Sequence, residues 1–183
     1  MKAGRPEGKI QAMGDGAMIP GESEGEVVRA GLSETEMRTN LVQLAFDGDE
    51  SKLERFCLEL AMALPTDTAG VMRGSSVTGV RWEDGAPFDA DGPGTSDLDL
   101  TLVGGEVVDW FDPDAFYIPG VHSMPLCDKR PDAAPRLVPL RQELMAMVGR
   151  PVNIQATRDW IMFLRERLMG QPYLTLIGKL EGP

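Results

Sequence analysis

The stretch Ser96-Asp-Leu-Asp-Leu-Thr-Leu-Val-Gly-Gly105 constrains this chain more than any other. Leu98, Leu100 and Leu102 alternate with Asp97, Asp99 and Thr101. A period of two marks a strand with one buried face and one wet face. Asp97 and Asp99 therefore leave the strand on the same side, a few ångströms apart. Like charges so placed repel and raise one another's pKa. A hard cation such as Mg²⁺ offsets that cost well, since it takes oxygen ligands and is commonly held by one or two carboxylates plus substrate phosphates. The plainer alternative is a solvated face on an edge strand.

A second stretch, Val71-Met-Arg-Gly-Ser-Ser-Val-Thr-Gly-Val80, ends a short strand in a glycine turn. Gly74 and Gly79 bracket Ser75, Ser76 and Thr78. Such a run presents backbone N–H groups and hydroxyls with little bulk, which is how proteins cradle phosphate. It is also the make-up of many ordinary turns. Arg73 and Arg81 flank it, and either guanidinium could clamp a triphosphate. Arg81 could equally pair with nearby acids.

The surrounding pattern predicts mixed α/β (α+β) architecture, a small mixed sheet with flanking helices. Ser33 and Glu36 form a capping box ahead of Met37, Leu41, Leu44 and Ala45 at helical spacing. Asp47-Gly-Asp-Glu50 stops that helix. A second runs from about Ser51 to Pro65 with Leu53, Phe56, Cys57, Leu60, Ala61 and Leu64 on one side, giving an N-terminal helical hairpin. Residues 82–95 read as an acidic loop, and residues 104–135 as an irregular connection. A helix follows from Val138, with Pro139 in its first turn and Gly149 just past its end. Arg150-Pro-Val-Asn-Ile-Gln-Ala-Thr157 reads as a strand and Arg158–Gly170 as a helix. Pro172–Leu180 reads as either a last strand or a short helix. Residues 1–31 show no period and read as a flexible N-terminal arm, a possible site for a protein partner; residues 32–183 form the folded domain.

The totals exclude several classes. Of 183 residues, 42% are apolar and 26% charged, ordinary for a globular protein. The net charge of −11 disfavours a nucleic-acid partner, which calls for a basic patch. Two cysteines, Cys57 and Cys127, and one histidine, His122, are too few for a Cys/His zinc site. A disulfide is open in principle, but Cys57 on an apolar helix face reads as a buried thiol. No apolar run reaches the ~20 residues of a membrane span, and the N-terminus carries no hydrophobic leader. The expected location is cytoplasmic.

Taken together, "RGSSVTG" and "GTSDLDLTLV" resemble the DNA polymerase β-like nucleotidyltransferase superfamily, over roughly residues 50–165. The paired motif is fairly specific; either half alone is weak. The resemblance implies a nucleotidyltransferase-like core that binds an NTP, with ATP as the expected substrate, together with Mg²⁺ or Mn²⁺. Gly74, Ser75 and Ser76 would contact phosphates, with Arg81 beside them. Asp97 and Asp99 would hold the metal, and a nucleoside monophosphate would pass to a hydroxyl of a small molecule or a protein. Two departures stand out. The acidic loop lengthens the gap between the two motifs; its Glu83, Asp84, Asp89 and Asp91 either flank the site or are solvated, the latter favoured. Asn153 stands where the family usually places a third carboxylate, and an amide is a far poorer base than a carboxylate. The alternative is thus a catalytically weak or inactive nucleotide-binding or regulatory protein on the same fold. Arg150 reads as a helix-end cation. Trp82, Phe116, Tyr117 and Trp160 could stack a base, though each reads first as core or cover. His122 reads as structural.

Overall fold

The computed structural model describes Met1 and residues 31–180. The arm expected over residues 1–31 lies almost wholly outside the described residues. Six α-helices and one six-stranded mixed sheet are present among the described residues.

Helix α1 spans Glu34–Ala45, opened by the Ser33–Glu36 capping box. Helix α2 spans Glu50–Ala63, with the Asp49 carboxylate accepting from the Ser51 N–H as its cap. The intended hairpin is loose. Phe46 and Phe56 meet edge to face at 5.4 Å, but α1 leans on the helix after β1 and on the last strand, while α2 leans on the long C-terminal helix and that same strand. Each helix thus spends its apolar stripe on the rest of the fold.

Strand β1 is Ala69–Arg73, and β2 is Leu98–Val103. Between them, the glycine turn closes into a one-turn helix, α3, over Ser75–Thr78. Helix α4 (Gly105–Val108), strands β3 (Phe116–Ile118) and β4 (His122–Ser123) and a 3₁₀ turn at Pro135–Leu137 occupy the connection expected to be irregular. Helix α5, Val138–Val148, ends on Gly149 in the left-handed region at φ 65°. It completes the crossover that lets β5, Val152–Thr157, run parallel to β2. The helix expected over Arg158–Gly170 is α only over Trp160–Phe163, here α6, and widens to π geometry over Leu164–Leu168. The undecided segment near the C-terminus is strand β6, Tyr173–Ile177. The sheet order is β3-β4-β5-β2-β1-β6.

The predicted alternation sets the two faces of this sheet. Leu98, Leu100 and Leu102 are fully buried with Val152, Ile154, Ala156 and Met72, in the core shared with α1, α2 and α5. The other face is polar towards one end and apolar towards the other. Trp160, Phe163 and Leu168 cover Val71 there, with Val103 and Tyr173 packed alongside. Cys57 and Cys127 are free thiols, and burial pushes the Cys57 thiol up.

The acidic loop is not simply solvated. Asp89 accepts from the backbone N–H groups of Gly94 and Ser96, and pairs in a two-pronged contact with Arg150 at 3.0 and 3.2 Å. Arg150 also donates to the carbonyls of Ser96 and Leu44 and lies over the Phe88 ring. The expected helix-end cation is therefore a tie between α1, the loop and the entry to β2. Loss of water around Asp89 would by itself raise its carboxyl. The Arg150 hydrogen bond and the two N–H groups outweigh this and hold it at about 2, against an ordinary 3.8.

That depressed value gives the clamp a defined pH window. As pH falls, the unfolded chain takes up the Asp89 proton first, so stability from this group is full above about pH 4 and is lost towards pH 2. Allowing for solvent at its edge, the loss is on the order of 1–2 kcal/mol. Asp89→Asn is expected to lower stability at pH 7 by about 2 kcal/mol, because the buried Arg150 side chain loses its counter-charge. It should also flatten the decline between pH 4 and pH 2. Urea denaturation across that pH range measures both.

Candidate functional site

The register of the central strands assembles the site. β1 and β2 pair antiparallel with Arg73 opposite Asp99, and β2 and β5 pair parallel with Asp99 opposite Asn153. Three adjacent strands thus place Arg73, Asp99 and Asn153 side by side. Asp97, just before β2, joins them. The Asn153 amide Nδ2 donates to Asp97 Oδ2 and, at 3.4 Å, to Asp99 Oδ1. One amide thus bridges the two carboxylates, which fixes both on the same side of the sheet.

Further along the same face the polar residues are buried. Arg73 Nε donates to Thr101 Oγ1 at 3.1 Å, and its Nη2 donates to Gln155 Oε1 at 3.2 Å. Gln155 Nε2 in turn donates to the Ser123 carbonyl at 2.6 Å. Arg73 Nη1 lies 3.7 Å from Asp99 Oδ2. Charge on the carboxylate pair is thus offset by one guanidinium and one amide. The offset is incomplete at Asp97: partial burial, then the neighbouring Asp99, push its carboxyl up, against the opposing pull of Asn153 and Arg73.

Gly74 brings the turn against this pair. Its φ of 80° and ψ of −162° belong to a region that only glycine occupies readily. A Cβ there would stand 3.0 Å from Asp99 Oδ2. Ser75 and Ser76 follow as the first residues of α3, ahead of its first intrahelical bonds, which run from Val77 and Thr78 to the Gly74 carbonyl. The Ser76 hydroxyl itself faces inward, donating to the Arg73 carbonyl at 3.4 Å, and Thr78 caps the Gly74 and Val80 carbonyls. Side-chain hydroxyls at 76 and 78 therefore secure the turn rather than line an opening.

The other candidates separate. Arg81 is engaged with the acidic loop, donating to Asp91 at 2.8 Å and lying 3.6 Å from Asp84. Trp160 stacks on Phe163 and meets Tyr173 edge to face, as cover for the apolar end of the sheet. Phe116 packs on Phe111, and Tyr117 carries the Arg167 guanidinium on its ring. His122 is fully buried, with Nδ1 2.5 Å from Thr157 Oγ1, in keeping with a structural role. Thr101 and Gln155, which anchor Arg73, were not singled out from the sequence. The signal was there: Asn153, Gln155 and Thr157 alternate with Val152, Ile154 and Ala156 just as Asp97, Asp99 and Thr101 alternate with leucines.

No group of three or more His, Cys, Asp or Glu side chains converges among the described residues as a self-sufficient metal site would require. Two carboxylates on one face nevertheless fit a hard cation whose remaining ligands come from phosphate and water, while Asn153 turns its amide nitrogen, not its oxygen, towards them. No helix among the described residues is long and apolar enough to cross a membrane. Comparison with protein-family models, with curated proteins and with solved structures finds no match for the chain.

Gly74 and Gly79 offer an internal control. Both have φ of 80°, but a Cβ at Gly79 meets nothing within 4 Å. Gly79→Ala is expected to cost about 1 kcal/mol in backbone strain alone. Gly74→Ala adds pressure on Asp99 and should cost about 2–3 kcal/mol. Paired thermal or urea denaturation of the two variants checks the difference.

Proposed function

We propose that the protein binds a nucleoside triphosphate, ATP first among them, with Mg²⁺ or Mn²⁺ at Asp97 and Asp99, and transfers the nucleoside monophosphate to a hydroxyl of a small molecule or a protein. One observation carries this reading: Asp97, Asp99 and Asn153 converge on one sheet face directly against Gly74, the residue that opens the Gly-Ser turn. A cation bound there would neutralise charge on the phosphate oxygens. The chain's own share is to supply two carboxylates as ligands and to offer the Ser75 and Ser76 amides at the start of α3 to phosphate. Asp97 keeps an exposed edge, so a ligand can reach the pair from solvent. The net charge of −11 favours a small or protein acceptor over nucleic acid.

Asn153 favours a second reading, nucleotide binding with little transfer. Its amide is neutral and takes no proton from an attacking hydroxyl. The two readings share a ligand and differ in rate.

Calorimetric titration tests the shared part. Mn²⁺ is expected to bind in the micromolar-to-millimolar range when nucleotide is present, and Asp97→Asn or Asp99→Asn should abolish that binding. Unchanged titrations in both variants reject the proposal.

Pyrophosphate release from ATP with a panel of hydroxyl acceptors tests the rate. A missing general base typically costs on the order of 10²–10⁴-fold, so turnover by the natural protein should be slow. Asn153→Asp should raise it. In metal-free buffer the same variant sets a third carboxylate beside two others, so its stability should fall as pH rises through the raised carboxylate pKa values. Brisk natural turnover that Asn153→Asp does not improve would place the base elsewhere.

A further inference from the structure

Arg73 stands where its charge bears directly on any cation at the site. Its guanidinium is anchored by Thr101 and Gln155 at 3.1 and 3.2 Å, and Gln155 is anchored in turn by the Ser123 carbonyl. Thr101 and Ser123 are fully buried, and Gln155 nearly so. The Arg73 side chain is only 20% exposed. It is therefore a fixed charge, and a guanidinium stays protonated at any working pH. Its Nη1 lies 3.7 Å from Asp99 Oδ2, one of the two carboxylates that a divalent cation would need.

Two cations drawn to one carboxylate oppose each other, and charges a few ångströms apart in a half-buried site interact strongly. A polyphosphate reverses the balance, because its negative charge offsets both the metal and Arg73. We infer that Arg73 makes divalent-cation binding at Asp97 and Asp99 conditional on a polyphosphate ligand: the metal alone is resisted, and the metal with polyphosphate is accepted. This rests on the reading of the site as a nucleotide site. It adds a property that the two aspartates alone would not have, a strong mutual dependence between metal and anion, equal in both directions by linkage.

The test counts protein-bound Mn²⁺ by equilibrium dialysis, with and without a non-hydrolysable ATP analogue. In the natural protein the analogue is expected to tighten Mn²⁺ binding by well over tenfold. In Arg73→Gln, which removes the charge and keeps a polar group near Thr101, Mn²⁺ alone should bind about tenfold more tightly than in the natural protein. The enhancement by the analogue should shrink by a similar factor. Arg73→Lys keeps the charge and should keep the natural pattern. Damage to the fold would weaken metal binding, not tighten it, so the direction of change separates the two. A second measurement needs no variant. Inorganic tripolyphosphate should promote Mn²⁺ binding to the natural protein, and adenosine should not. If Asp97→Asn and Asp99→Asn leave Mn²⁺–analogue binding intact, the nucleotide reading falls and this inference with it. If binding depends on both aspartates but Arg73→Gln fails to tighten Mn²⁺ alone, or adenosine promotes binding as well as tripolyphosphate does, the inference alone is overturned.

Discussion

Strand β2 must bury Leu98, Leu100 and Leu102 on one side while keeping two carboxylates hydrated on the other, and the fold is arranged around that requirement. The apolar side is met by α1, α2 and α5, which share one core with it. The polar side cannot be covered in the same way, because burying an unpaired carboxylate costs far more than a leucine returns. The cover supplied by α6 and the π turn therefore stops over Val71 and Val103. What lies beyond that cover is the candidate site. Its location follows from the limit on how much of the second face can be closed.

Two arginines with different tasks hold this arrangement. Arg150 joins the Asp89 loop to the carbonyls of Ser96 and Leu44. It therefore sets where the chain enters β2, one residue before Asp97. Arg73 acts within the sheet, spanning Thr101 and Gln155 beside Asp99. The first arginine fixes backbone; the second fixes potential. A lysine at 150 would lose the planar fork that reaches several acceptors at once, whereas at 73 it would keep the charge beside Asp99 with fewer hydrogen bonds.

Much of this was legible in the sequence, and the reasons are local. The capping box at Ser33 and Glu36, the stop at Gly149, and the alternation in β2 and β5 each depend on residues close together in the chain. The parallel register that sets Asp99 beside Asn153 was foreshadowed only by resemblance, since strand pairing is a long-range property. The Asp89–Arg150 pair was missed because its partners are 61 residues apart, and an acid in a glycine-rich loop reads as solvated until a buried cation is found beside it. The direction of the Ser76 hydroxyl is not legible in the sequence for a related reason. A Gly-Ser-Ser run shows that hydroxyls are available, but only the turn of α3 decides that this one points inward. The shift from α to π geometry after Phe163 has no counterpart in the periodicity, because Leu164 and Leu168 suit either.

Asn153 shows how the site reconciles these demands. An aspartate in its place would leave three carboxylates converging beside a single guanidinium, at a cost in mutual repulsion. The amide instead donates to both carboxylates at once, and with Arg73 it offsets part of the pair's charge. The same amide has an oxygen at its other end, a possible metal ligand, but presenting that oxygen would give up the bridge to Asp97 and Asp99. In Asn153 and Arg73 the chain has one neutral donor and one fixed cation beside the same carboxylate pair, which is how three neighbouring strands can carry these side chains on one face.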